Sequence, residues 1–370
     1  MIFILLFIAV LFLAYTNGAN DNFKGVATLF GSDTTNYRGA IGWATGTTLL
    51  GSIAAIFLAN ALVKNFSGKG LVPAELIQSP EFAVSIAIGA AATVFIATKI
   101  GMPISTTHSL VGGLFGAGVA AVGSQFNFSR LGSVFFVPLL VSPFMAAALS
   151  FILYLFFNRT RKAMGVTKEK CICIGEELKP VAELNTAQAD LTIVQPAFNI
   201  ADEKDCVEIY SGDFVGVSAQ KILDVVHYLS SGVVSFARGL NDTPKIVGLL
   251  LVVEAFNPSY GLVFAAVAIA LGGLINARRV GETMSKDITP MNHGQGFTAN
   301  LITGLLVTTA SIHGLPVSTT HVSVGSILGI GTATGKGNIK TIKKIVLSWI
   351  LTLPTAAAIS AGIYLLMKMF

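Results

Sequence analysis

The sequence predicts an all-α membrane protein, a polytopic helical bundle of two inverted repeats with broken helices and re-entrant hairpins. Three observations predict it. Of the 370 residues, 53% are hydrophobic and 12% charged, and the mean hydropathy of +0.73 lies outside the balance of a soluble domain. The apolar residues gather in runs such as 41–63, 82–100, 131–157 and 259–277, each about what a helix needs to cross ~30 Å of hydrocarbon. Two motifs occur twice in the same order: GANDNFKGVA at 18–27 with GLNDTPKIVG at 239–248, and GMPISTTHSLVGG at 101–113 with GLPVSTTHVSVGS at 314–326. Copies at constant offsets of 221 and 213 residues mark an internal duplication of the kind transporters carry.

The elements follow in order. Residues from Met1 are apolar with neither a basic n-region nor a cleavage site, so they read as a retained first span rather than a signal peptide. After this broken first helix come 41–63, 82–100, 103–122 and 131–157. A charged, mixed stretch at 158–214 interrupts the pattern, and 216–256, 259–277, 297–312, 316–333 and 345–368 repeat it. The chain therefore divides into a first repeat (1–157), a middle loop (158–214) and a second repeat (215–370). No stretch shows the alternation, over about ten residues, of an outer-membrane barrel strand.

Orientation comes from Lys and Arg in short loops. With the N-terminus outside, Arg38, the run Arg159, Arg161, Lys162, Lys168 and Lys170, the pair Arg278–Arg279, and Lys336, Lys340, Lys343 and Lys344 all fall inside, against Lys64, Lys69 and Arg130 outside. Five crossings per half is odd, so the second half enters upside down. Both termini then lie outside and the middle loop is cytoplasmic, in a cell inner membrane. The net charge of +5 is spread over loops without a basic-aromatic patch, which excludes a nucleic-acid partner. Cys171, Cys173 and Cys206 have neither CxxC pairing nor ribbon spacing, so they read as reduced thiols rather than a metal site.

The first motif pair carries buried charge. Asn20–Asp21 and Asn241–Asp242 end or interrupt apolar runs. A carboxylate at membrane depth costs roughly 3 kcal/mol even on insertion scales and marks an ion pathway. The competing reading, an interfacial helix cap, suits one aspartate better than a duplicated Asn-Asp pair with Lys24 or Lys245 three residues on. Glycine and Pro244 favour interrupted helix here, freeing backbone carbonyls to join the side-chain oxygens as hard ligands. Sodium suits that set. Arg238, just before the second pair, either pairs with an aspartate or attracts an anion.

The second pair supplies donors. Ser105, Thr106 and Thr107 follow Pro103, and Ser318, Thr319 and Thr320 follow Pro316. Proline favours a first helical turn, and hydroxyls beside unsatisfied amides make an anion site. A lone mid-span Ser or Thr would instead bond its own backbone. Phosphate, a compact oxyanion wanting many donors, fits two facing helix starts. His108 and His321 either orient the hairpin or touch substrate, with a proton relay as a further possibility. Two carboxylates beside a dianion repel it, so cations between them would make coupling obligatory and reciprocal, with rocking of the repeats around a midplane site. The GKG at 335–337 is not a phosphate-binding P-loop, and HExxH and GxSxG are absent, so no enzymatic or ATP-driven activity is read. Gly112 with Gly116, and Gly325 with Gly329, read as close helix packing.

GANDNFKGVA and GLNDTPKIVG resemble the paired GANDxxN-type signatures of the inorganic phosphate transporter (Pit) family, and PISTTH and PVSTTH resemble its second pair. The likeness spans all but 158–214. It implies a sodium/phosphate symporter, often a homodimer, with no cofactor, sodium as co-transported substrate and the lipid bilayer as surroundings. By match, cation and phosphate binding falls on Asn20, Asp21, Asn241 and Asp242, and phosphate on Ser105 through Thr107 and Ser318 through Thr320. Two departures stand out: Thr243–Pro244 against Asn22–Phe23, and Asn300 in GFTAN where relatives often have a glutamate. Within the family a proton-coupled phosphate carrier or a sulfate permease is the alternative. Outside it stand an anion channel, which the buried aspartates disfavour, and a receptor read through 158–214.

Overall fold

A computed structural model of the chain describes residues 1–167, 170–180, 192–202, 215–252 and 257–369. Among them are ten helices of 16 residues or more, five from each half. The first half gives α1 (Ile2–Asp21), α2 (Tyr37–Leu58), α3 (Pro80–Lys99), α4 (Thr106–Val122) and α5 (Val137–Ala163). The second gives α6 (Ala219–Val247), α7 (Pro258–Asn276), α8 (His293–Ile312), α9 (Thr319–Thr334) and α10 (Ile339–Met367).

Capping side chains fix where these helices begin, and equivalent caps recur in both halves. Asn36 accepts from the Gly39 amide at the start of α2, and Asn257 from Ser259 at the start of α7. Ser79 and Asn292 likewise cap α3 and α8, and Ser105 and Ser318 cap α4 and α9. Each such cap is worth about 1 kcal/mol. These pairs keep the 221- or 213-residue offsets of the motifs, so the duplication extends to the punctuation of the chain.

The prolines of the second motif do not open helices as expected. Pro103 and Pro316 lie in extended lead-ins, and helix begins at Thr106 and Thr319, because a serine cap needs an extended backbone before the first turn. The first helix does break at its motif: α1 stops at Asp21, and a 3₁₀ turn, Asn22–Gly25, leads into the short helix Ala27–Gly31. The matching break at Asn241–Asp242 does not occur. There α6 runs on through Pro244 to Val247, and the 3₁₀ turn comes at Gly248–Val252. Proline removes one ladder bond, and side-chain bonds from Arg238, Asn241 and Lys245 hold the segment on both sides of it.

Glycines let the halves interlock. A Cβ on Gly18 of α1 would sit 1.9 Å from the Ile269 carbonyl of α7, and one on Gly272 1.9 Å from the Tyr15 carbonyl. With the halves exchanged, a Cβ on Gly239 of α6 would sit 2.1 Å from Thr48 O of α2, and one on Gly51 2.0 Å from Phe236 O. Gly112 and Gly116 of α4 press on Leu353 and Ala357 of α10, while Gly325 and Gly329 of α9 press on Pro143 and Ala147 of α5. The spaced glycines are thus packing devices. Among the described residues, six helical stretches are long and apolar enough to cross a membrane. Large apolar side chains such as Phe57, Leu140, Phe144 and Ile275 face outward, Phe57 at 77% exposure, which only lipid accommodates. The protein is a multi-pass membrane protein.

By contact the chain separates into Met1–Tyr154 with His227–Phe370, and Leu155–Val226. The second unit contains a three-stranded antiparallel sheet in the order β2-β1-β3: β1 (Lys170–Pro180), β2 (Thr192–Asp202) and β3 (Val215–Ser218). Its register pairs Lys170 with Asp202 and Cys171 with Ser218. The sequence reading had no element here, although Cys171-Ile172-Cys173-Ile174 carries strand alternation. Cys171 is a buried free thiol, and Cys206 lies outside the described residues.

Candidate functional site

Both motif pairs meet at one buried place. Asp21, at the end of α1, and Asp242, inside α6, are 1% and 3% exposed. The Asn17 amide, one turn before Asp21, donates to Asp21 Oδ2 at 3.0 Å and to Asp242 Oδ2 at 3.3 Å, so a single side chain bridges carboxylates of different halves. Thr106 at the start of α4 also donates to Asp21 Oδ2, at 3.0 Å.

The lysines cross between halves. Lys24 Nζ donates to Asn20 Oδ1 at 2.9 Å, to Asp21 Oδ1, to the Ile104 carbonyl at 2.7 Å and to Thr320 Oγ1 of the other half at 2.7 Å. Its counterpart Lys245 donates to the Val317 carbonyl at 2.6 Å and to Thr107 Oγ1 of the first half at 2.8 Å, with Asp242 Oδ1 3.7 Å away. The asparagines brace the lead-ins. Asn20 donates to Thr98 at 3.0 Å and Met102 O at 3.1 Å; Asn241 donates to Val317 O at 3.2 Å and accepts from Ser311 at 3.2 Å. The freed carbonyls thus come from Ile104 and Val317, ahead of the capped helices, and not from the Asn-Asp segments where they were expected.

Arg238 breaks the symmetry. Its guanidinium donates to Asn17 Oδ1 at 2.7 Å, Asn22 Oδ1 at 2.8 Å and Thr48 Oγ1 at 3.3 Å, with Nε 3.6 Å from Asp242 Oδ2. Two carboxylates therefore face three cations, all buried. Beside the two carboxylates expected to repel an anion stand the three cationic side chains of Lys24, Lys245 and Arg238, a formal sum of +1 at their ordinary charges. Deleting a single member of such a buried set leaves an uncompensated charge and costs about 3–5 kcal/mol.

The hydroxyls divide their work. Ser105 and Ser318 are spent on capping, Thr106, Thr107 and Thr320 line the cluster, and Thr319 is buried next to Thr320. His108 and His321 meet edge to face with centroids 4.3 Å apart, and Trp349 lies 3.9 Å from His321. Among the described residues neither imidazole hydrogen-bonds a carboxylate or lysine of the cluster. Asn300 belongs to a separate buried network, with Thr28 at 3.0 Å and Ser230 at 3.4 Å; His227 joins it through Thr28 at 3.1 Å.

Asn17, Thr98 and Ser311 were missed in the sequence. None belongs to a duplicated motif, yet Asn17 is offset from Arg238, and Thr98 from Ser311, by the motif spacings of 221 and 213. Chemically the site offers two sets of atoms. Carboxylates, asparagine oxygens and two lead-in carbonyls suit a hard cation; threonine hydroxyls, first-turn amides of α4 and α9, ammoniums and a guanidinium suit a tetrahedral oxyanion.

A multi-pass helical bundle with a duplicated, buried, ion-paired site defines a membrane transporter. Residues 17–360 match the phosphate transporter family, and the chain belongs to that family, whose members are transporters and not enzymes. It is 29% identical to a provisionally named phosphate permease of Thermococcus kodakarensis, over 95% of this chain and 94% of the relative. It is also 29% identical to one from Haemophilus influenzae, over 96% and 94%. Among solved structures it resembles one described as the sodium-dependent phosphate transporter, with TM-score 0.77, 25% identity, and 100% and 99% coverage of the two chains.

Proposed function

We propose that this chain imports inorganic phosphate across the inner membrane by cation symport, with sodium as the coupling ion and alternating access as the mechanism. The observation that carries the reading is the crossed pair Lys24–Thr320 and Lys245–Thr107. Each half holds its cation motif against the other half's hydroxyl motif, so the two kinds of seat share walls and one movement opens or closes both. Asn20–Asp21 and Asn241–Asp242 provide sodium oxygens. Thr106, Thr107, Thr319 and Thr320 present hydroxyls to phosphate, with Ser105 and Ser318 shaping the helix starts. Lys24, Lys245 and Arg238 supply the positive charge that a dianion needs in a dry site.

The two repeats are inverted, 1–157 and 215–370, with both termini outside, 158–214 in the cytoplasm and a homodimer as the working unit. A neighbour described as sodium-dependent supports sodium over protons. The test is uptake of radiolabelled phosphate into proteoliposomes under an inward sodium gradient, a proton gradient or neither, with excess sulfate as competitor. Accumulation with sodium alone and indifferent to sulfate is expected; accumulation driven by protons alone, or blocked by sulfate, would move the chain to a proton-coupled or sulfate-carrying branch.

A further inference from the structure

The Lys24 ammonium sits in a cage that is richer in oxygen than an ammonium needs. Four oxygens of four chemical kinds surround it: the Asn20 amide at 2.9 Å, the Asp21 carboxylate, the Ile104 carbonyl at 2.7 Å and the Thr320 hydroxyl at 2.7 Å. An ammonium has three protons to donate, so one oxygen always exceeds its valence. The same set, carboxylate, amide, carbonyl and hydroxyl, is what a hard metal cation collects. Every one of these residues is buried, and Ile104 and Thr320 reach the seat from extended lead-in and helix start.

The equivalent seat is looser. Lys245 has Thr107 Oγ1 at 2.8 Å and Val317 O at 2.6 Å, but Asp242 stands off at 3.7 Å and Asn241 turns its oxygen toward Ser311.

We propose that Lys24 is a tethered cation that occupies the Asp21 cage, so that sodium enters only by displacing the ammonium, with Lys245 acting as a weaker competitor at Asp242. The inference rests on the sodium-symport reading above and gives it a physical cause. Sodium arriving alone strands a buried ammonium without a partner. Phosphate arriving alone finds the ammonium committed to Asp21. When both arrive, sodium takes the carboxylate and the freed ammonium, on its flexible four-carbon stem, takes the anion beside Thr320. Each ligand thereby raises the affinity of the other.

The experiment compares the full chain with Lys24→Met in detergent, following sodium-dependent thermal stabilisation against choline chloride, with and without inorganic phosphate, alongside uptake in proteoliposomes. Lys24→Gln, which keeps a polar tip, serves if the methionine variant does not accumulate. The half-saturating sodium concentration is expected to fall at least tenfold in the variant, and added phosphate to stop shifting it. A Lys245→Met variant shifts it less. An unchanged or raised sodium requirement in a folded Lys24 variant would overturn the proposal. If wild-type uptake ignores sodium and follows protons, the symport reading fails by itself; a Lys24 variant that then gains sodium stabilisation still upholds the cage, and one that does not sinks it.

Discussion

Asn17 and Arg238 occupy equivalent positions of the two halves, 221 residues apart, and bond to each other: Arg238 Nη2 donates to Asn17 Oδ1 at 2.7 Å. The duplication has diverged here, at a place where equivalent positions of its two copies touch. The amide separates Asp21 from Asp242, and the guanidinium supplies the fifth charge. Arg238→Lys should therefore fail as a conservative change, because a single ammonium cannot span Asn17, Asn22, Thr48 and Asp242. A loss of about 3 kcal/mol in stability is expected, seen as a lowered midpoint of thermal unfolding in detergent, with phosphate uptake largely gone.

Asn17→Ala removes the bridge and leaves the carboxylates facing each other. Its neighbours remain charged and paired, so folding should survive while phosphate uptake drops at least tenfold. Initial-rate measurements at saturating sodium, normalised to protein in the membrane, check this.

Thr107→Val and Thr320→Val each delete a hydroxyl that accepts from the other half's lysine and belongs to the proposed phosphate seat. The half-saturating phosphate concentration should rise about tenfold, equivalent to ~1.4 kcal/mol, with maximal rate less affected. Ser105→Ala acts differently: losing the cap of α4 costs about 1 kcal/mol of stability, which thermal unfolding separates from a binding effect.

Gly272→Val forces a side chain into the Tyr15 carbonyl, 1.9 Å from where its Cβ would stand, and should abolish accumulation of folded protein. Gly46→Ala, on a face with nothing within 4 Å, should be neutral or stabilise slightly. Expression and gel-filtration profiles of the two variants compare them directly.

Much of this was legible in the chain because the duplication repeats its own evidence. Asp21, Asp242 and the STTH runs stand out twice, and the helices follow from apolar length. What sequence hid was the direction of side chains across the interface between halves. Lys24 lies three residues from Asp21, but its grip on Ile104 and Thr320 depends on a lead-in residue 80 positions away and on the other half. Pro244 signalled a break that tertiary bonds overrode, and Asn300 signalled the site while belonging to the Thr28 network. The strands at 170–180 and 192–202 pair across 11 residues each, yet they lie in the mixed polar stretch that breaks the apolar pattern, and Gly175 and Pro196 interrupt them.

The most direct test of sodium coupling is phosphate uptake by Asp21→Asn in proteoliposomes, with and without an inward sodium gradient, beside the unaltered chain. The account predicts sodium-driven accumulation in the unaltered chain, and in the variant the loss of sodium dependence together with most uptake. Phosphate transport by Asp21→Asn with unchanged sodium dependence would contradict it.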